Sequence, residues 1–129
     1  MNISVVVYSP PTAQAARTAF LYTEAALAQG HHIYRLFFYH DGVLNGSQLS
    51  QPPQDEFNLP VAWQQLIENR GLDAVVCVSS ALRRGILNVA EAERYDKTCH
   101  NLAEPYEISG LGQLVDACLQ SDRVIGFGE

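Results

Sequence analysis

Apolar residues in this chain fall into short continuous runs, separated by stretches that are apolar on one side only. The first run, Ile3 to Tyr8, is unbroken and rich in β-branched residues, the pattern of a strand covered on both faces. Ser9-Pro10-Pro11 ends it. From Thr12 to Gln29, residues Ala16, Ala19, Phe20, Ala26 and Leu27 fit one face of a helix, and Gly30 stands where a helix-ending glycine belongs. His32 to Tyr39 predicts a second strand, with Leu36-Phe37-Phe38 at its buried centre. A polar loop then runs from His40 to about Pro53, a length that is uncommon without a functional reason.

The alternation continues. Leu59 to Asn69 predicts a helix stopped at Gly71, and Asp73 to Val78 a third strand. Ser79 or Ser80 is suited to cap the short helix that carries Ala81-Leu82-Arg83-Arg84, which Gly85 interrupts. Asn88 to Arg94 forms another helical piece, followed by a second polar loop through Pro105. Ile108 to Gly112 introduces a last helix to about Gln120, and Arg123 to Phe127 closes the chain as a strand. Strands separated by helices predict an α/β fold: one three-layer domain over residues 1–129, its sheet mostly parallel with helices on both faces.

Charge narrows the function. Fourteen acidic against eight basic residues give a net charge of −6, and Lys97 is the only lysine. Direct nucleic-acid binding, which relies on clustered basic residues, is not expected. No apolar run approaches the roughly 20 residues needed to span a bilayer. The first residues lack the marks of a signal peptide, so a cytoplasmic location is the expectation.

Cys77, Cys99 and Cys118 are an odd set without CxxC spacing, which argues against a disulfide framework and against a zinc site. In open α/β sheets, sites gather beyond the C-terminal ends of the strands. Ser9 to Thr12, His40 to Asn45 and Cys77 to Arg84 should meet there. Cys77 lies at a strand end just before a helix, where free N–H groups favour a thiolate and an incoming thiol could reach it; Arg83 or Arg84 could add to that. The opposite reading is a small, buried, inert core residue.

The other candidates are weaker. Cys99 beside His100 reads as an incidental exposed thiol, and Cys118 as core of the last helix beside Leu114, Val115 and Leu119. His31 and His32 sit at the wrong end of their strand for a site. His40 and Asp41 sit at the correct end, to cap a loop or to position a partner. No phosphate or nucleotide loop is present in the sequence.

Several stretches together resemble a known family. They are Phe37-Phe38-Tyr39-His40-Asp41-Gly42-Val43, Asp55-Glu56-Phe57, Ala62-Trp63-Gln64-Gln65-Leu66, Val76-Cys77-Val78 through Ala81-Leu82-Arg83-Arg84-Gly85, and Ile108-Ser109-Gly110-Leu111-Gly112-Gln113-Leu114 before Asp122-Arg123-Val124. In this order and spacing the chain resembles the DsrE/TusD family of sulfur carriers. The cysteine followed by Ala-Leu-Arg-Arg-Gly is the specific part.

The resemblance implies a DsrE-like fold, a persulfide carried on Cys77, and no metal or organic cofactor. It further implies a heterohexamer with TusB-like and TusC-like subunits, a TusA-like sulfur donor and a TusE-like acceptor, serving 2-thiouridine formation at the tRNA wobble position without touching the tRNA. A DsrE-type subunit of a DsrEFH complex in sulfur oxidation would carry the same cysteine. A catalytically silent assembly subunit is the alternative from another class.

Overall fold

The computed structural model describes residues 1–128. Five strands, β1 (Asn2–Val7), β2 (His32–Phe38), β3 (Ala74–Cys77), β4 (Tyr106–Ser109) and β5 (Arg123–Phe127), form one wholly parallel sheet in the order β4-β3-β2-β1-β5. Helices α1 (Gln14–Ala28), α2 (Leu59–Arg70), α3 (Val78–Arg83), α4 (Val89–Arg94) and α5 (Gly112–Gln120) connect them. The α/β architecture read from the alternation is therefore the one observed.

Two expectations change. The fifth strand, β4, occupies the stretch that the sequence suggested was only the lead-in to α5. The loop after β2 begins with a 3-10 segment, His40–Gly46, before it becomes irregular.

The connections explain why the two faces differ. From β1 to β4 the chain steps steadily toward one edge. α5 then carries it back across the sheet to β5, on the far side of β1. Because crossovers are right-handed, reversing the direction of travel puts α5 on the opposite face from α1.

Ile3, Val5, Val7, Ile33, Leu36, Phe38, Ala74 and Val76 point toward α1 and α2 into the large core. There Trp63 meets Phe20 and Phe38 edge-on at centroid distances of 5.2 and 5.3 Å. On the other face, Val6, Phe37, Val75 and Cys77 form a small core under Tyr8, Tyr39 and Leu114. One helix of nine residues is the main cover of that side.

An ion-pair cluster fixes α5 there. A register shift between Ile3 and Ser4 leaves Tyr34 out of step with β1. Such bulges re-aim side chains, and here Tyr34 and its neighbour Arg35 both reach α5. The Tyr34 hydroxyl donates to Asp116 at 2.7 Å. Arg35 donates to Asp116 and to the Gln113 carbonyl, both at 2.9 Å, and to Asp73 at 2.8 and 3.0 Å. Burial works against the Arg35 charge, but its two carboxylate partners outweigh it and hold the guanidinium firmly ionised.

Candidate functional site

Cys77 ends β3 and occupies the N-cap position of α3. Ser79 and Ser80 do not cap the helix, as the sequence suggested they could; they lie inside its first turn. At six residues α3 is too short for a summed dipole to matter greatly, so its local donors decide the sulfur's chemistry.

Burial pushes the Cys77 thiol up. The Ser80 peptide N–H, the Ser79 and Ser80 hydroxyls and the Ser79 N–H act the other way and prevail, so its pKa lies below the ordinary cysteine value. The Ser79 hydroxyl stands 3.6 Å from Sγ.

The residue is only 1% exposed. It belongs to the thinly covered face, where Tyr8, Tyr39 and Leu114, each partly open to solvent, lie over its cluster. In the isolated fold the expected open access is therefore missing, and an incoming thiol needs this cover to move. The inert-core reading fits that burial, but apolar surroundings alone would raise the pKa, whereas here it is lowered.

The loop after β2 is built onto the cysteine turn. His40 adopts a left-handed backbone, φ 49°, uncommon for a residue with a side chain. Its N–H donates to Ser80 Oγ at 3.1 Å. Asp41 accepts from Arg84 Nε at 2.7 Å, and Arg84 also donates to the Ser80 carbonyl at 3.2 Å. Arg84 is thus engaged as a clamp between loop and helix, and Arg83 is exposed.

The His40 ring stacks on Tyr39 at 4.1 Å, and Tyr8 completes the aromatic group at 6.0–6.1 Å. Asn45, almost fully buried, donates from Nδ2 to the carbonyls of Ser9 at 3.0 Å and Gly42 at 2.9 Å. It ties the 3-10 segment to the exit of β1.

The three segments expected to converge do so. A crevice of about 650 Å³ opens beside the first two, lined by Tyr8, Ser9, Gln14, Asp41 and Phe127, and the Cys77 segment does not line it. It lies beyond the ends of β1 and β5, where the strand order reverses, the usual place for a site in such sheets.

The remaining candidates fall outside. Cys99 is exposed, and His31 sits beside the N-terminal amine, 3.3 Å away, at the other end of the sheet. Cys118 is corrected: it is exposed, because α5 turns Leu114 and Ala117 inward and Cys118 lies at the margin of that face, toward Val115. Sequence reasoning missed Asn45 and Arg35 altogether. A buried-strand pattern containing one arginine was the available sign for Arg35.

Comparison with known proteins bears on the family and the fold. Residues 1–127 match the model of the DsrE/DsrF-like family. A sulfurtransferase TusD homolog of Pseudomonas aeruginosa is 53% identical over 128 residues, covering 99% of this chain and 98% of the relative. A putative sulfurtransferase DsrE of Allochromatium vinosum is 48% identical over 116 residues, covering 90% and 89%. The crystal structure of the ychN protein of E. coli superposes with a TM-score of 0.75 at 19% identity, covering 98% and 97% of the two chains, which bears on the fold alone. By family match, near-full-length identity and fold, the chain belongs to the DsrE/DsrF-like family.

Proposed function

We propose that this chain is a sulfurtransferase that carries sulfur as a persulfide on Cys77. The observation that carries the reading is the place of Cys77 at the C-terminal end of β3 and the N-cap of α3, with the Ser79 hydroxyl 3.6 Å from Sγ and the thiol pKa held below its ordinary value. Curated relatives named as sulfurtransferases support the same chemistry.

The transfer needs only thiol exchange. The Cys77 thiolate attacks the outer sulfur of a donor persulfide, R–S–SH. A bond forms between Cys77 Sγ and that sulfur while the donor S–S bond breaks, and its electron pair leaves on R–S⁻. Cys77–S–SH remains. An acceptor thiolate then attacks the outer sulfur and frees the Cys77 thiolate. Serine hydroxyls and peptide N–H groups around Sγ stabilise the anion at both stages.

In the fuller reading, the donor is a TusA-like carrier, the acceptor is TusE-like, and the chain works in a heterohexamer with TusB-like and TusC-like subunits toward 2-thiouridine at the tRNA wobble position. Leu111, Val115 and Leu119 form an exposed apolar strip along α5. An assembly partner seated there would cover it and bear directly on the helix above Cys77. The negative net charge suits protein carriers over RNA.

A labelled relay tests this. Cysteine desulfurase, ³⁵S-cysteine and a TusA-like carrier should label the chain, and adding a TusE-like protein should move the label onward. Replacing Cys77 by serine should block both steps. Passage of label to the acceptor with Cys77→Ser present in place of wild type would leave the chain an assembly subunit.

A further inference from the structure

We propose that the crevice beyond the ends of β1 and β5 binds a small organic acid of single negative charge. Its carboxylate would rest on the first turn of α1 and its apolar body between Tyr8 and Phe127. The Cys77 segment does not line this crevice, so the proposal stands whether or not that sulfur is the carrier.

Donors without acceptors set the chemistry. α1 is fifteen residues long, and its N-cap residue, Ala13, has no side-chain oxygen to receive the first main-chain N–H groups. The Ala13 N–H turns back to the Pro10 carbonyl at 3.0 Å, and that of Ala16 to the Ala13 carbonyl at 3.2 Å. Between them, the N–H groups of Gln14 and Ala15 find no acceptor among the described residues, and both residues line the crevice. No acidic side chain stands in that turn, so the partial positive charge of the helix end is uncompensated.

Ser9 points to the same ligand independently. It is only 7% exposed and lines the crevice, and its hydroxyl has no hydrogen-bond partner among the described residues. Asn45 Nδ2 donates to the Ser9 carbonyl at 3.0 Å and so fixes the main chain that carries the hydroxyl. A Cβ at Gly128 would collide with Ser9 Oγ, which sets that oxygen at the exit of β5, next to Phe127 in the crevice wall. A hydroxyl held this deep needs an acceptor, and a carboxylate in the crevice supplies one.

The lining also limits the charge. No lysine or arginine belongs to it, and Asp41, which does, is paired with Arg84 at 2.7 Å. Neutral donors at a helix end worth about half a positive charge suit one carboxylate. A phosphate dianion would lack a counter-charge and would face Asp41 as well. The volume of about 650 Å³ admits a small molecule, and Tyr8 and Phe127 give its body aromatic walls.

Benzoate, a flat apolar body with one carboxylate, is the probe. Titrated into the full ¹⁵N-labelled chain, it should shift the amide resonances of Ser9, Gln14 and Ala15 to saturation, with a Kd on the order of 1–10 mM. Benzyl alcohol, which has the body without the charge, and inorganic phosphate should each bind at least about tenfold more weakly. Gln14→Pro deletes one donor at the first helical position, where proline is accepted, and the extended backbone of Ala13 (φ −92°, ψ 145°) suits a proline after it. Gln14→Pro and Ser9→Ala should each weaken benzoate by about fivefold or more, while Gln14→Ala, which keeps the N–H, stays within about twofold.

Amide shifts that are absent at about 50 mM benzoate, or centred elsewhere in the chain, overturn the proposal. Equal binding of benzyl alcohol would make the crevice an apolar groove and overturn the anion site. Tighter binding of phosphate would overturn the single charge. Unchanged affinity in both Gln14→Pro and Ser9→Ala, folded by circular dichroism, overturns the assignment of the donors. If neither variant folds, the wild-type titrations with the three probes decide.

Discussion

Replacing Arg35 by methionine should both destabilise the fold and uncover Cys77. Methionine keeps the length of the stem and removes the charge, so the loss is that of the ion-pair cluster more than of packing. Arg35 makes two bonds to Asp73, one to Asp116 and one to the Gln113 carbonyl. A fully buried pair stripped of one partner costs about 3–5 kcal/mol, and an exposed pair about 0–1 kcal/mol. Here the arginine side chain is 10% exposed, while its two carboxylates are 40% and 41% exposed. Water can rehydrate the carboxylates, so the cost should fall between those limits, at about 2 kcal/mol.

For a chain of this length that lowers Tm by roughly 6–10 °C, read by thermal circular dichroism. Leu114 follows Gln113 directly and packs on the Cys77 cluster, so a loosened α5 should also open the cover. Iodoacetamide labelling of Cys77 should quicken by about 5–10-fold, which corresponds to about 1–1.4 kcal/mol of easier local opening. Arg35→Lys, charged but without the planar fork, should fall between. A Tm within about 2 °C of wild type would refute the energetic argument. A lowered Tm with unchanged labelling would show that α5 does not govern access to the sulfur.

Other perturbations test separate links. Tyr39→Ala, which thins the cover without touching the serines, should speed Cys77 labelling while leaving its pH midpoint in place; a slower reaction would contradict the assignment of Tyr39 as cover. Gly42→Ala should lower stability by about 3 kcal/mol or more in urea unfolding. Its new Cβ would collide with the Val7 carbonyl oxygen and lie 2.8 Å from Val7 C, main-chain atoms that cannot step aside. The Asp116 carboxyl is held below its usual range, first by the Tyr34 hydroxyl and then by Arg35. Its share of stability is therefore present above the unfolded carboxyl pKa and lost as pH falls through the lower folded value. In acid titrations, Asp116→Asn should flatten that loss, and an unchanged profile would show that the pairing contributes nothing.

How much of this could be read from the sequence depended on whether the deciding contact was local. The buried strands and the long helices follow from patterns within a few residues, and Gly71 stops α2 with φ 62° where the sequence placed a stop. β4 was missed because Tyr106-Glu107-Ile108-Ser109 is a four-residue edge strand with its glutamate turned to solvent. It carries a period of two too short to stand out.

Cys118 was misplaced because the apolar residues of α5 spread over about half its circumference, more than the sheet covers. Nothing within the helix says which side meets the sheet; Arg35 and Tyr34, about eighty residues earlier, decide it. Cys77 was legible as a candidate from its place at a strand end. Its cover was not, since Tyr8, Tyr39 and Leu114 come from three distant segments. The bond from the His40 N–H to Ser80 Oγ was invisible for the same reason: its two residues lie forty positions apart.

Whether one sulfur atom becomes covalently attached to Cys77 is the question on which the account turns. After incubation with cysteine, a cysteine desulfurase and a TusA-like carrier, peptide-resolved mass spectrometry should find about 32 Da added at Cys77, removable by a reductant. Cys99 and Cys118 should stay unmodified under the same conditions. Added sulfur on either of them with Cys77 left bare would contradict the account.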